Sequence, residues 1–345
     1  MSDWKFKEYS LYNKSQIWYR LRTLLSYNLP INIIIGARGT GKTFSIKEHI
    51  IKDFINNPAH NFCWIRDNVD DIKKLAESNG RKWKEDIPLM NLPISTINIT
   101  NSVIKINDTI AGDLMPVSTY QRYKGNSYQE CYNMMFDEFI PEKGRVKKST
   151  VEAIVNTFNT VLRTRKQGRI FMTANALDKG DPFLDFLGVQ LKDFGFYVNR
   201  KMGVVIHYAD NSAKFNNVNS EGIVGKLILN SPKHAIKDNM MDGKFLNDDE
   251  SLFFDKLPSK STMRFILETP LQRARFYYNN GKLWVTADYD INTYVNKRYV
   301  VNIEDCSFCK PVFPQYTKKM LKEYIVANKV MYQSAFLKSF ILSII

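Results

Sequence analysis

The chain has 345 residues, 44% hydrophobic and 24% charged, with a formal net charge of +14. That length exceeds what one core usually supports, and the composition excludes a disordered or fibrous chain, so two folded domains are expected. The positive excess implies an anionic partner, nucleic acid first, with a membrane surface or an acidic protein as alternatives and an indifferent basic surface as the bland reading.

The N-terminal MSDWKFKEYS has no apolar h-region and does not read as a secretory signal. A helix is expected over Ser15–Leu25 and a buried strand over Ile31–Ile35. The strand runs into Gly36-Ala37-Arg38-Gly39-Thr40-Gly41-Lys42-Thr43, which fits the P-loop (Walker A) pattern at every fixed position. In that pattern the glycines let backbone N–H groups turn around a β-phosphate. Lys42 reaches the β- and γ-oxygens of ATP, and Thr43 offers a hydroxyl to Mg²⁺. The following helix, expected over Thr43–Asn56, carries a broad apolar face of Phe44, Ile46, Ile50, Ile51, Phe54 and Ile55 and ends before Pro58.

A strand at Phe62–Arg66 and another near Val103–Ile106 precede a third at Tyr132–Phe136. The third delivers Asp137 and Glu138 at its C-terminal end, where ligands bind in parallel sheets. One carboxylate can hold the Mg²⁺ shell and the other can polarise attacking water. A Glu directly after the metal-binding Asp favours a water-activating ATPase over a metabolite kinase. The Phe62–Arg66 strand, falling between the P-loop and the acids, suggests the additional-strand, catalytic-glutamate branch of P-loop proteins. An Asn-Lys-x-Asp guanine-reading motif is absent, which disfavours a GTPase.

Around this core stand further cations. Lys124 in "STYQRYKGNSY" and Arg145 in "IPEKGRVKKST" are candidates for action on a neighbouring subunit's nucleotide, since an arginine entering a site neutralises charge developing in phosphoryl transfer. The competing reading of that loop is a solvated basic surface. After a helix expected over Ser149–Arg165, "LRTRKQGR" places Arg163, Arg165 and Arg169 near the same sheet edge or a neighbouring subunit. The strand Ile170–Ala174 ends in Asn175, which either senses the γ-phosphate or caps the next turn. Basic stretches with interleaved aromatics, Arg81-Lys82-Trp83-Lys84 and Thr317–Lys322, can contact a phosphate backbone or form solvated helix faces.

Residues 1–208 thus read as an α/β P-loop ATPase domain, and 209–258, rich in Asn, Asp, Ser and Lys, as a linker within which segments such as Gly225–Leu229 can be ordered. Residues 259–345 read as a small α+β domain, with "RFILETP", a hairpin turning at Asn279-Asn280-Gly281, "RYVVNIED" and a helix over Thr317–Val326. Cys306 and Cys309 form one CxxC with no second pair or spaced His, so a zinc site is not expected. Four cysteines make no disulfide framework, which fits a reducing cytoplasm. The apolar tail from Ser334 is interrupted by Lys338 and reads as an element packing on its own domain, not a membrane anchor.

Together, "IIGARGTGKTF", "FCWIR", "STYQRYKGNSY", "MMFDEFIPEKGR" and "LRTRKQGRIFMTANA" resemble the genome-packaging (encapsidation) ATPases of small tailed phages of the phi-29 kind. The resemblance covers about residues 30–180 and is only architectural in the C-terminal part. It implies an ATP-driven motor, a homopentameric ring on the portal vertex of an empty capsid in the infected host's cytoplasm, threading double-stranded DNA inward. By carry-over, Lys42 and Thr43 hold nucleotide and metal, Asp137 the metal, Glu138 the water, and Arg145 is the finger reaching the adjacent subunit's ATP. The C-terminal domain is implied to be an RNase H-like fold without nuclease chemistry, since Glu268, Asp288 and Asp290 are the only nearby acids. Some relatives also use a phage-encoded scaffold RNA. A replication-type helicase or loader on single-stranded nucleic acid, and a nucleotide-gated structural protein, are the alternatives.

Overall fold

The computed structural model describes the chain except residues 1–2, 124–127, 129, 141–149, 164, 166, 178, 231–236, 246–251, 270–271, 289–296, 302–303, 305–310 and 345. Lys124, Arg145, Asp290, Cys306 and Cys309 therefore lie outside the described residues. The chain divides into two compact units, Met1–Leu177 with Leu191–Leu246, and Asp178–Gln190 with Asn247–Ile345.

The first unit is built on a ten-stranded sheet. Its strands are β1 (Lys5–Glu8), β2 (Ile31–Gly36), β3 (Asn61–Arg66), β4 (Ile97–Thr100), β5 (Val103–Ile106), β6 (Thr109–Pro116), β7 (Cys131–Asp137), β8 (Arg169–Asn175), β9 (Gly195–Asn199) and β10 (Val204–Ala209). The order across the sheet is β1-β9-β10-β2-β8-β7-β3-β6-β5-β4. The six central strands, β10 through β6, run parallel, and the two at each end are antiparallel to their inner neighbours. Ile33–Ile35 and Met134–Phe136 are fully buried, the continuous apolar pattern of strands covered on both faces.

Helices α1 (Arg22–Leu25), α2 (Lys42–Asn56), α3 (Val69–Lys84), α4 (Ile87–Met90) and α5 (Val151–Leu162) join these strands. The five expected strands form, each within a residue or so of its anticipated ends. The helix expected over Ser15–Leu25 is reduced to α1. Residues 17–19 instead run along the P-loop, where Tyr19 N donates to Thr40 O at 2.8 Å. A tertiary hydrogen bond has taken the amide that a helix would use. β4, β5 and β6 form a meander closed by two-residue turns at Asn101-Ser102 and Asn107-Asp108, all four residues having positive φ as a type I′ turn demands.

The polar stretch expected as a linker contributes α7 (Ala213–Glu221), α8 (Ile223–Leu229) and a single π-turn (Asp238–Asp242), all grouped with the first unit up to residue 246. Its polar residues act as clamps. Asp210 accepts from Leu11 N at 2.6 Å, Ser212 caps α7 through Phe215 N at 3.1 Å, and Asn211 Nδ2 donates to Met241 O at 2.7 Å. Such side chains satisfy buried backbone in the same way as solvent, so composition alone does not separate the two uses.

The second unit carries helix α6 (Pro182–Phe186) and a mixed sheet of β11 (Thr262–Glu268), β12 (Arg273–Asn279), β13 (Lys282–Ala287), β14 (Arg298–Val300) and β15 (Val330–Tyr332), in the order β14-β11-β12-β13-β15. β11, β12 and β13 are antiparallel, whereas β14 and β15 add in parallel at the edges. The β12–β13 turn has Asn280 at φ 46° and Gly281 at φ 77°. Helices α9 (Gln315–Val326) and α10 (Ala335–Ile344) complete the unit, and Leu321, Leu337 and Ile341 join Phe265, Leu267, Phe276 and Val285 in its core. The apolar tail is therefore a packing helix. Among the described residues no helix is long and apolar enough to cross a membrane.

Candidate nucleotide site

β2 ends at Gly36, where a side chain would meet Ala209 O of β10 at 2.6 Å, so only glycine lets the two strand ends close up. The loop that follows turns through Gly39 at φ 77° and Gly41 at φ 86°, and Gly41 caps α2. The amides at the start of a 15-residue helix thus face the space above the sheet, with the positive end of its dipole. The Lys42 ammonium is buried and donates to Gly36 O at 3.1 Å, to Ala37 O, and to Thr40 Oγ1 at 3.4 Å. Burial pulls its pKa down to about 8, against the opposing attraction of Asp137 and Glu138.

β7 delivers Asp137, which is 2% exposed, beside this loop. Its Oδ1 accepts from Thr43 Oγ1 at 2.9 Å and from Thr173 Oγ1 at 2.7 Å, Thr173 lying opposite it in the β7–β8 register. Its Oδ2 is 2.8 Å from Arg66 Nη2, and the same guanidinium gives Nη1 to Glu138 Oε2 at 2.5 Å. Glu138 takes a left-handed backbone, φ 56°, which costs a non-glycine residue roughly 1 kcal/mol or more. That bend lets Phe139 N donate back to Thr173 O at 3.0 Å.

Arg38, Gly39, Thr40, Gly41, Lys42, Thr43 and Phe44 line one side of an open cleft of about 280 Å³, and Glu138, Thr173, Ala174 and Asn175 line the other. The fold therefore gathers into one place the loop, both acids and Asn175, whose backbone is fixed by pairing with Gly36 and by Ala176 N donating to Gly36 O at 3.1 Å. Arg66 and Thr173 complete the arrangement and were not anticipated as site residues. The available signal is that each stands at or near the C-terminal end of a buried parallel strand, as the acids do.

Arg165 and Arg169 belong elsewhere. Arg165 donates to Val161 O at 2.8 Å and to the carbonyls of Tyr128 and Cys131, tying down the start of β7. Arg169 opens β8 and bonds Asn28 Oδ1 at 3.0 Å. Both stand at the N-terminal edge of the parallel strands, opposite the cleft, because β8 itself separates Arg169 from Asn175. Arg163 follows the last turn of α5 at φ 49°. Trp83, within one of the basic stretches, is fully buried against Trp64 and Phe62, so it packs the core and does not face a nucleic-acid track.

Comparison with known proteins sets this site in context. Residues 12–340 match the Podovirus DNA encapsidation protein (Gp16) family. The DNA packaging protein of Bacillus phage B103 is 27% identical over 274 residues, covering 78% of this chain and 81% of the relative. That of Bacillus phage phi29 is 26% identical over 251 residues, 72% of each. A chain of the bacteriophage Phi-29 viral genome packaging motor assembly superposes with a TM-score of 0.68 at 20% identity, over 95% of this chain and 98% of that one. A chain of the Phi-28 gp11 DNA packaging motor does so at 0.64 and 18%, over 95% and 97%. At those identities the structural likenesses establish a common fold.

Proposed function

Since the chain belongs to the podovirus DNA encapsidation protein (Gp16) family, we propose that it is the ATP-driven motor that packages double-stranded DNA into a viral capsid. The observation that carries the ATPase reading is the convergence of Lys42, Thr43, Asp137 and Glu138 on one cleft above the parallel sheet. The position of β8 between the P-loop strand β2 and the acid strand β7 supports the additional-strand, catalytic-glutamate branch. The inserted strand in that reading is β8, not Phe62–Arg66, which lies beyond β7 as β3.

In this reading the loop amides of residues 37–43 and the Lys42 ammonium bind the β- and γ-phosphates of ATP. The donor set fits Mg²⁺: Thr43 Oγ1 and Asp137 Oδ1 are hard oxygens 2.9 Å apart at the helix start. Bound there, the ion would neutralise charge on the phosphate oxygens. Glu138 takes a proton from the attacking water, with Arg66 orienting its carboxylate. Asn175, at the end of β8, reads the γ-phosphate. Arg145 and Lys124 act from a neighbouring subunit in a homopentameric ring. That ring would work in the host cytoplasm at the portal vertex, with or without a scaffold RNA.

The second unit is proposed to be an RNase H-like domain that binds nucleic acid or the portal without cutting, and its mixed sheet supports that. Glu268, ending β11, is within 3.6 Å of Arg298, and Asp288, after β13, is 2.5 Å from Arg275. Among the described residues no cluster of three or more ligating side chains occurs.

The test is ATP turnover with and without double-stranded DNA, read together with assembly state. Stimulation by duplex over single strands, and DNA affinity that falls steeply with salt, are expected of a sequence-independent grip on phosphates. Preference for single strands would favour a helicase. No turnover above background would favour a nucleotide-gated structural protein.

A further inference from the structure

The cleft has a direction. Its far wall, Glu138 and Thr173 to Asn175, comes from β7 and β8, which lie on one side of β2, whereas β10 lies on the other. A nucleoside triphosphate whose terminal phosphate faces Asp137 and Glu138 must carry its ribose and base toward the β10 flank. On that flank stands Trp18. Its Cβ lies 3.4 Å from where a side chain at Gly41 would begin, so the indole borders the turn into α2.

Three contacts hold that segment in place. Tyr19 N donates to Thr40 O at 2.8 Å, Ser212 Oγ donates to Ile17 O at 3.4 Å, and the Trp18 ring meets Phe215 edge-on, 5.8 Å between centroids at 67°. Ser212 and Phe215 both follow β10, which fixes the side of the sheet. The indole nonetheless remains 54% exposed, a large share for a tryptophan held at both backbone and ring. A flat, immobilised π-face beside a phosphate cradle loses little side-chain freedom when a base stacks on it.

We propose that Trp18 is the stacking surface for the base of the bound nucleotide. Stacking scales with ring area, so the site prefers purine to pyrimidine nucleotides, and the indole itself does not separate adenine from guanine. This rests on reading residues 36–43 as the triphosphate cradle.

The experiment measures equilibrium binding of ATP, CTP and inorganic tripolyphosphate to the full chain, wild type, Trp18→Ala and Trp18→Phe, with Mg²⁺ present. Trp18→Ala should weaken ATP by roughly five- to fiftyfold, the scale of one lost base stack. Tripolyphosphate should stay within about twofold, since it presents no base, and so reports that the variant cradle is intact. Trp18→Phe should lose less affinity than Trp18→Ala, and the ATP-over-CTP preference should shrink most in Trp18→Ala. Unchanged ATP binding by Trp18→Ala overturns the proposal and leaves the cradle standing. Equal loss of ATP and tripolyphosphate also overturns it, because Trp18 would then merely prop Gly41. Wild-type protein that binds neither would overturn the cradle and this proposal together.

Discussion

Arg66 donates to Glu138 across 2.5 Å while holding Asp137 at 2.8 Å, so one guanidinium on β3 spans the acid that ends β7 and the one after it. A cation there competes for the oxygens that a divalent metal needs, and it also compensates an aspartate that is 2% exposed. Arg66→Ala should therefore lower the Mg²⁺ concentration for half-maximal ATP binding while destabilising the ligand-free protein. The stability loss should be roughly 2–4 kcal/mol, the scale of breaking a partly buried pair. A Mg²⁺ titration and denaturant melts of the same variant check both signs.

Glu138→Gln keeps an oxygen to accept from Arg66 but no basic carboxylate. ATP affinity should stay near wild type and hydrolysis should fall by about a hundredfold or more, the usual scale for removing a general base. Single-turnover hydrolysis beside equilibrium binding separates the two; parallel loss of both would remove Glu138 from the chemical step.

Thr173 bonds the same Asp137 oxygen as Thr43. Thr173→Val is nearly isosteric yet strips that donor from a buried carboxylate, which should cost about 1–3 kcal/mol of stability. Hydrolysis should fall more than ATP affinity, because the phosphate cradle itself is untouched. A variant with unchanged stability would show the hydroxyl to be dispensable.

Lys42 has its pKa lowered to about 8 by burial. Below that pH the side chain is charged in the folded protein. Between about 8 and 10.5 the unfolded chain binds the extra proton, so this residue's contribution makes stability rise with pH across that window. A polyphosphate needs the ammonium and restores its proton. Calorimetry at pH values just above 8, in buffers of different ionisation enthalpy, should show proton uptake on ATP binding, and ATP affinity should weaken as pH rises further. Lys42→Met should abolish the uptake.

Arg165 makes its three carbonyl bonds at the opposite edge of the sheet from the cleft. Arg165→Ala should cost roughly 2–3 kcal/mol of stability and leave the ATP dissociation constant of the folded protein essentially unchanged. A selective loss of turnover in the assembled protein would instead restore a role for it at a subunit boundary.

The proposed phosphate cradle was legible in the residues because its requirements are local. Glycines at 39 and 41 supply the positive φ values, and a lysine and a threonine open the helix behind an apolar strand. The strands β2, β7 and β8 were legible for a similar reason, since a strand buried on both faces must be apolar along its length. The same local logic led astray where a tertiary contact replaced it. Residues 15–21 have a helical texture, but Tyr19 N bonds to Thr40 O of the P-loop, and the polar residues of 210–212 clamp other segments where a linker was expected.

The sequence by itself determined strands β2, β3, β5, β7 and β8, though not β1, β4, β6, β9 or β10, and it located the glycine-rich loop and the two acids at the end of a buried strand. Only the tertiary structure decided that β8, not β3, separates the loop from those acids. It also decided that Arg66 and Thr173 reach Asp137 from the neighbouring strands β3 and β8, and that Arg165 and Arg169 face the other edge. Strand order and the partners of a buried carboxylate arise from contacts between residues far apart in the chain, and periodicity carries no record of them.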